Sequence, residues 1–142
     1  MNDFHDLPAI DVPPVVLPGQ RAPESAYRVA HDLLARRAPV EALEVLEPAL
    51  AEEPANRGLR SLRAWAFMIR AQLAKAEAEL RSLVEDDPSD DWAHHALGRT
   101  LERRDDLASA LPHLRLAAVM SGDPVHEAAV RRVATRLEGR RG

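Results

Sequence analysis

The sequence repeats itself with a period of 34 residues between Glu24 and Gly122, and this period constrains the fold more than any other feature. The columns are Ala30, Ala64 and Gly98; Leu33, Phe67 and Leu101; Ala42, Ala76 and Ala110; Leu46, Leu80 and Leu114; and Pro54 with Pro88. A period of roughly 20 to 50 residues is typical of arrays in which each repeat packs on its neighbours.

Each period predicts two antiparallel helices joined by a short turn. The small residues let the two helices approach closely, the larger apolar columns fill the layers between them, and the prolines end the units. One pair of helices cannot bury both of its faces, so the pairs are expected to stack into a solenoid. The expected helices are 24–36, 40–52, 57–70, 73–86, 90–103 and 107–120. Asn56, Asp90 and Asp106 are the predicted N-caps, whereas Pro48 and Pro112 should bend the second helices without breaking them.

The repeated motifs resemble those of a known family. The units read VAHDL (29–33) with ALEVL (42–46), RAWAF (63–67) with AEAEL (76–80), and LGRTL (97–101) with ALPHL (110–114). This pattern, with its terminal prolines, resembles the tetratricopeptide repeat (TPR), whose signature is W-x2-L-G-x2-Y, A-x3-F and P. The resemblance covers about residues 23–122.

Two departures from the family pattern stand out. No unit has Trp at the first motif site, where Ala26, Arg60 and His94 stand. Arg63 occupies a site where the family prefers Leu, which predicts either a rotated helix or an arginine whose charged head reaches solvent.

The resemblance implies an all-α fold, a right-handed α-solenoid of three helix-turn-helix TPR units followed by a C-terminal capping helix. The chain is predicted to divide into an extended Pro-rich N-terminal segment (1–22), a TPR domain (23–138) and a tail (139–142). Within the TPR domain, the units lie at about 23–56, 57–90 and 91–122, and the capping helix at 124–138. One face of the capping helix is apolar, with Val130, Val133, Ala134 and Leu137. The opposite face, with Arg131, Arg132 and Arg136, is expected to be solvated.

In this family the first helices line a concave groove that binds partner proteins, usually as an extended peptide or a helix. The register of the repeats places a stripe of side chains on that groove. Its members are Tyr27, His31, Leu34, Ser61, Trp65, Met68, His95, Arg99 and Glu102. Aromatic residues, Met and Arg are typical of binding hot spots. The alternative for Trp65 and Met68 is packing in the core, and Trp92 is assigned to packing between repeats.

The carboxylate clamp that some family members use for the acidic C-termini of heat-shock chaperones is not expected here. Tyr27 and His31 occupy the clamp's Lys and Asn sites in the first unit. An acidic peptide terminus could still contact Arg99, Arg103 or Arg131.

The sequence offers little for catalysis, metals or cofactors, so no enzyme activity, metal or cofactor is expected. Cysteine is missing, and HEAAV (126–130) has Val130 where a zinc-binding helix needs its second His. His94 and His95 are adjacent and point about 100° apart on a helix. The acidic run EDDPSDD (85–91) spans a turn and supplies N-cap carboxylates.

Charge and hydropathy argue against nucleic-acid or membrane partners. The net charge is −4, and the longest apolar run, AWAFMI (64–69), falls far short of a membrane span. With no signal-peptide pattern at the start, the expected location is the cytoplasm. Codon bias in a GC-rich bacterial genome accounts for the abundance of Ala and of Arg, so the arginines are not taken as evidence for RNA binding.

The N-terminal stretch PAIDVPPVVLPG (8–19) is apolar, but its prolines exclude a helix or a central strand. Val12, Val15, Val16 and Leu17 could dock in the groove of their own molecule or of a second copy, or the stretch could be a disordered lead-in. The leading hypothesis is a non-catalytic adaptor that binds a segment of another protein. The alternative is a small dimeric chaperone of the three-repeat secretion or assembly type, paired through its N-terminal segment.

Overall fold

A computed structural model describes residues 22–142, which form seven helices and no strand within that range. The helices are α1 (Ala22–Ala35), α2 (Pro39–Glu52), α3 (Arg57–Ile69), α4 (Leu73–Asp86), α5 (Asp91–Arg103), α6 (Leu107–Ser121) and α7 (Pro124–Arg141). The all-α solenoid expected from the sequence is therefore confirmed. The predictions for the N-terminal segment lie outside the described residues.

The packing order explains which side of the solenoid is concave. Each helix packs on the next one in the chain, and the first helices of successive units, α1, α3 and α5, also contact one another. The second helices, α2, α4 and α6, make no such contacts among themselves in the described part of the chain. A stack that is in contact along one side and spread along the other must curve, so the first helices line the inside of the curve.

The core follows the columns of the repeat. The alanine and leucine columns of the second helices are fully buried, as are Ala30, Ala64 and Gly98 on the first helices. Gly98 allows the closest approach: a Cβ at this position would lie 2.5 Å from Leu114 Cδ2 and 3.2 Å from the Ala110 carbonyl oxygen. The first-helix column is less regular, because Leu33 and Phe67 are only half-buried whereas Leu101 is buried.

The core consists of two apolar clusters that share one helix. The first joins α1 and α2 to Leu59, Leu62 and Ala66 of α3. The second joins Ala64 of α3 to the helices that follow. Opposite faces of α3 therefore link the first unit to the rest of the molecule.

The turns within the units share a backbone conformation that the sequence does not reveal. Arg37, Ala71 and Asp105 all have positive φ, of 64°, 58° and 65°. In each turn the backbone amide of the next residue donates to the carbonyl five residues before it, as Ala38 N does to Leu33 O at 2.8 Å. This hydrogen bond caps the C-terminal end of the first helix. Three different side chains thus occupy a left-handed position that favours glycine.

The predicted N-caps are confirmed, and neither internal proline breaks its helix. Asn56, Asp90 and Asp106 each accept a hydrogen bond from a backbone amide in the first turn of their helix. Pro48 and Pro112 lie inside α2 and α6, which continue past them, and both are exposed. No helix in the range 22–142 has the length and apolarity needed to cross a bilayer.

Arg60, at the first motif site of the second unit, is buried and shares an ion network with the half-buried Arg63. Arg60 donates to Glu79 Oε2 at 2.9 Å, to Asp86 Oδ2 at 2.9 Å and to Ser82 Oγ at 2.6 Å. Arg63 donates to the other Glu79 oxygen at 2.6 Å. Burial lowers the pKa of Arg60, but hydrogen bonds from its guanidinium to Asp86 and Glu79 outweigh this and raise that pKa above its usual value. An ion network thus replaces apolar packing in the second unit.

In the third unit, His94 is held by two hydrogen bonds. Its Nε2 lies 2.9 Å from the Pro88 carbonyl and its Nδ1 lies 3.1 Å from His113 Nδ1. Because a carbonyl only accepts, Nε2 of His94 carries the proton, and Nδ1 accepts from His113.

The capping helix is longer than predicted. It extends to Arg141, past the expected end at residue 138, and Arg140 pairs with Asp105. Its three arginines at 131, 132 and 136 are exposed, and two of them also form ion pairs. Arg132 forms a bidentate salt bridge with Glu102, with both distances 2.7 Å. Arg136 lies between Glu102 and Asp105, at 3.6 Å from each. These pairs fasten α7 across the end of α5.

Candidate functional site

Three adjoining cavities lie along the concave face formed by α1, α3 and α5, and we call them together the groove. An aromatic cavity of about 360 Å³ lies beside the N-terminal halves of these helices. A basic cavity of about 300 Å³ lies near their C-terminal ends. A smaller cavity of about 190 Å³ connects the two, because it shares lining residues with both. It shares Trp65 and Trp92 with the aromatic cavity, and Met68, Arg99 and Arg103 with the basic cavity.

The aromatic cavity is built from rings on three helices. The Tyr27 and His31 rings stack with centroids 6.1 Å apart, and the His31 ring meets the Trp65 ring edge-on at 5.8 Å. Trp92 lines the opposite side and is 37% exposed. Gly58 permits this arrangement, because a Cβ at that position would lie 3.2 Å from Tyr27 Cε2. Aromatic rings of this kind offer large, rigid contact area to a ligand.

Asp90 also lines the aromatic cavity, but its carboxylate is already engaged. One oxygen caps α5 by accepting from Ala93 N at 3.0 Å, and the other accepts from Arg57 at 2.7 Å. The cavity therefore offers a ligand its aromatic rings, with Ser61 and the His31 nitrogens among its polar groups.

The basic cavity brings together three arginines from two units. Arg37 comes from the turn after α1, and Arg99 and Arg103 come from the last two turns of α5. Met68 and Ile69 supply its apolar wall, and no acidic side chain of the described residues lines it. Arg103 donates to the Met68 carbonyl at 2.8 Å, which holds its guanidinium over the end of α3. Arg99 is also paired with Glu102 at 3.2 Å, and the remaining positive charge at this end of the groove favours an anionic group.

The far side of the groove is closed by α7. Glu102 has only 9% of its side chain exposed, and the hydrogen bond from Arg132, with the charges of Arg132, Arg99 and Arg136, holds the pKa of its carboxyl below the usual range. His95 stacks on His126 of α7 with ring centroids 4.1 Å apart. Burial, followed by the charges of His126, Arg99 and Arg132, lowers the pKa of His95 to about 4, so its ring is neutral at pH 7.

The structure brings most of the nine groove residues predicted from the sequence to one face. Tyr27, His31, Ser61, Trp65, Met68, His95 and Arg99 all line one of the three cavities. The prediction for Leu34 is wrong, because this side chain is fully buried in the core of the first unit. Glu102 does not offer the groove a free carboxylate, because the arginines of α7 bind it.

Several residues of the groove lie outside the predicted stripe. Trp92, predicted to pack between repeats, lines two of the cavities. Arg103, named above only as a contact for an acidic terminus, follows Arg99 by four residues, so it extends the predicted stripe by one helical turn. Arg37 gave no such signal, because its position depends on the left-handed turn after α1.

The other histidines of the described range are not grouped as a metal site. No group of three or more His, Cys, Asp or Glu side chains within residues 22–142 is arranged to hold a metal ion. The buried His94 serves to join α5 to α6 through His113, and burial, together with the charge of His94, lowers the pKa of His113.

The paired helices and the concave groove define a class of protein, the helical-repeat solenoids whose first helices line the concave face. Comparison with known proteins shows a family likeness: residues 33–99, just under half of the chain, match the tetratricopeptide repeat.

Solved structures with the same fold cover most of the chain. The TPR domain of Sgt2 from Aspergillus fumigatus aligns with a TM-score of 0.79 at 21% identity, over 92% of this chain and 89% of that one. The first TPR domain of the human RPAP3 protein aligns with a TM-score of 0.77 at 16% identity, over 83% and 94%. The first TPR of Spaghetti (RPAP3), solved with the HSP90 peptide SRMEEVD bound, gives 0.77 and 16%, over 82% and 96%.

Proposed function

We propose that this protein is a non-catalytic interaction module whose groove binds an extended peptide or a helix of a partner protein. The observation that carries the proposal is the continuous run of three cavities, lined by aromatic, Met and Arg side chains from all three units. A peptide-bound relative of the same fold, the first TPR of Spaghetti with SRMEEVD, supports a peptide as the ligand. The cysteine-free, Ala- and Arg-rich composition supports a bacterial cytoplasmic setting.

The chemistry of the groove sets the kind of peptide. The aromatic cavity takes an apolar or proline side chain, and the basic cavity takes a carboxylate. Trp92 and Arg103 are eleven residues apart on α5, or roughly 16 Å along the helix axis. An extended peptide covers this distance in about five residues. The proposed ligand is thus a peptide with an apolar anchor and an acidic group about five residues apart, in either direction.

Selection of peptides from a random display library against the full-length protein tests this proposal. Selected peptides should lose affinity in Trp65→Ala and His31→Ala, by about tenfold or more for Trp65→Ala because a buried aromatic anchor is a typical hot spot. Val40→Ala is the matched control, since Val40 is 48% exposed on α2, outside the groove. Undiminished affinity in both groove variants would refute the assignment of the groove.

A second candidate function, a small dimeric chaperone, is favoured by one other surface. Leu116, Val119 and Met120 of α6 are exposed, Val119 by 83%. A cleft between α6 and α7, lined by Ala118, Val119 and Val130, adds to this apolar surface. Exposed apolar patches of this kind mark association sites.

Light scattering tests the chaperone candidate. A dimer in the wild type that becomes a monomer in Val119→Glu supports association through this surface. A monomeric wild type at micromolar concentration removes the candidate.

A further inference from the structure

We propose that the groove is occupied in the same molecule by residues 11–17 of the N-terminal segment, with Val15 and Val16 in the aromatic cavity and Asp11 at the basic cavity. This inference rests on the proposed function, because it names the regulatory occupant of the same groove. Three features support this occupant: the order of chemical groups along the segment, the dimensions of the groove and the point at which the segment joins α1.

The chemistry of the segment matches that of the groove in linear order. Reading away from α1, the chain first presents the proline-rich apolar run VPPVVLP (12–18) and then Asp11, Asp6 and Asp3. Reading away from the N-terminal end of α1, the groove first presents Tyr27, His31 and the two tryptophans, and then three arginines. Apolar groups thus meet aromatic rings, and carboxylates meet guanidiniums.

The spacing of the segment matches the dimensions of the groove. Val16 and Asp11 are five residues apart, which spans roughly 16 Å in the extended conformation that proline favours. The two ends of the groove are separated by a similar distance, as Trp92 and Arg103 show. Pro13 and Pro14 lie within this span and fix φ before docking, so ordering the segment costs less entropy than for an ordinary chain.

The attachment point makes docking in the same molecule feasible. Tyr27 lies five residues after Ala22, the first residue of α1, or roughly 8 Å along that helix. The six residues from Val16 to Ala22 extend to roughly 19 Å, which is enough to turn back and run antiparallel to α1. A short tether of this length gives a local concentration in the millimolar range. Weak contacts are then sufficient to fill the groove.

A spin label tests the location and the register together. The chain has no cysteine, so a full-length Ile10→Cys variant carries one label next to Asp11. Docking brings this label to the basic cavity, and it should broaden the backbone amide resonances of Ile69 and Arg103. Val125, exposed at the start of α7, is the internal control and should keep its intensity. Equal intensity at all three amides overturns the proposal.

Two further samples separate specific docking from the alternatives. Adding Val15→Ser and Val16→Ser to the labelled chain should reduce the docking equilibrium about tenfold for each valine and restore the Arg103 signal. Persistent broadening overturns the assigned anchor. Mixing spin-labelled protein with unlabelled, nitrogen-15-enriched protein should leave all signals intact. Broadening in this mixture assigns the segment to a second copy and overturns docking in cis.

A titration connects docking to regulation. The fluorescent synthetic peptide PAIDVPPVVLPG should bind the unlabelled Val15→Ser/Val16→Ser protein at least tenfold more tightly than wild type, whose own segment competes. Equal affinity overturns occlusion. The Trp65→Ala variant tests the groove independently of the segment. If Trp65→Ala loses peptide binding but the spin label broadens no signal, the groove is the binding site and the N-terminal segment is not its occupant.

Discussion

Neutralising Glu79 should destabilise this protein more than neutralising Glu77, although both carboxylates lie on α4 and each pairs with two arginines. Glu79 Oε1 accepts from Arg63 at 2.6 Å and Oε2 accepts from Arg60 at 2.9 Å, and only 8% of the Glu79 side chain is exposed. Both oxygens are therefore in use. In Glu79→Gln, one of them becomes an NH₂ group that faces an N–H donor.

The size of this effect follows from the burial of the partners. A hydrogen bond between charged groups contributes about 1.5–3 kcal/mol, and Glu79→Gln loses one of the two and makes the other a bond to a neutral group. The side chain of Arg60 is 11% exposed and that of Arg63 is 27% exposed, so solvent screens the first little and the second partly. We expect a loss of about 2–3 kcal/mol in the free energy of unfolding, or roughly 6–12 °C in Tm.

Glu77→Gln is the matched control. Glu77 pairs with Arg81 at 2.8 Å and Arg104 at 2.9 Å, but these arginine side chains are 47% and 42% exposed. Exposed pairs typically contribute less than about 1 kcal/mol. Urea denaturation of both variants, followed by circular dichroism in 0.1 M and 1 M NaCl, separates them, because salt should remove the effect of Glu77→Gln and leave most of that of Glu79→Gln. Equal losses in the two variants would refute the reasoning.

Three further predictions concern the backbone, the core and pH. Ala71→Gly should raise the free energy of unfolding by about 0.5–1 kcal/mol in urea denaturation, because Ala71 has a φ of 58° that favours glycine; a loss would show that the added freedom of the unfolded chain outweighs this strain. Gly98→Ala should cost about 1–2 kcal/mol despite the better helix propensity of alanine, since its Cβ would overlap Leu114, and a Tm above that of wild type would contradict the tight packing. His95, with its pKa lowered to about 4 in the folded protein, gains its proton more readily when unfolded. The free energy of unfolding should therefore fall by about 2–3 kcal/mol as pH drops from 6.5 to 4. Thermal unfolding across this range should show a flatter pH dependence in His95→Gln, and an unchanged pH dependence would contradict the interpretation.

The period of 34 residues predicted the fold because burial follows it closely. A fully buried alanine or leucine leaves no choice about which face of the helix points inwards, so the columns at Ala42 and Leu46 identified the second helices directly. Leu33 and Leu34 show where this reasoning ends. Both are apolar and adjacent, and only the packing of α1 against α2 and α3 determines that Leu34 is the buried one.

The groove was harder to predict than the core because its contents depend on contacts between units. Trp92 stands at the start of α5, where a helical pattern does not distinguish packing from exposure. Arg37 reaches the basic cavity through a turn whose left-handed backbone conformation has no signature in the identities Arg37, Ala71 and Asp105. The ion pair of Arg132 with Glu102 has no signal in the sequence, because the two residues lie 30 positions apart.

The division of the core into two clusters that share α3 gives the groove a thermodynamic role. Tyr27 and His31 stand on the helix of the first cluster, whereas Trp92 stands on a helix of the second. A ligand in the aromatic cavity thus touches both halves of the molecule and adds contacts between units that otherwise meet mainly through one helix. We expect the empty protein to exchange amide hydrogens fastest in α1 and α2, and an occupied groove to make the two halves unfold as a single cooperative unit.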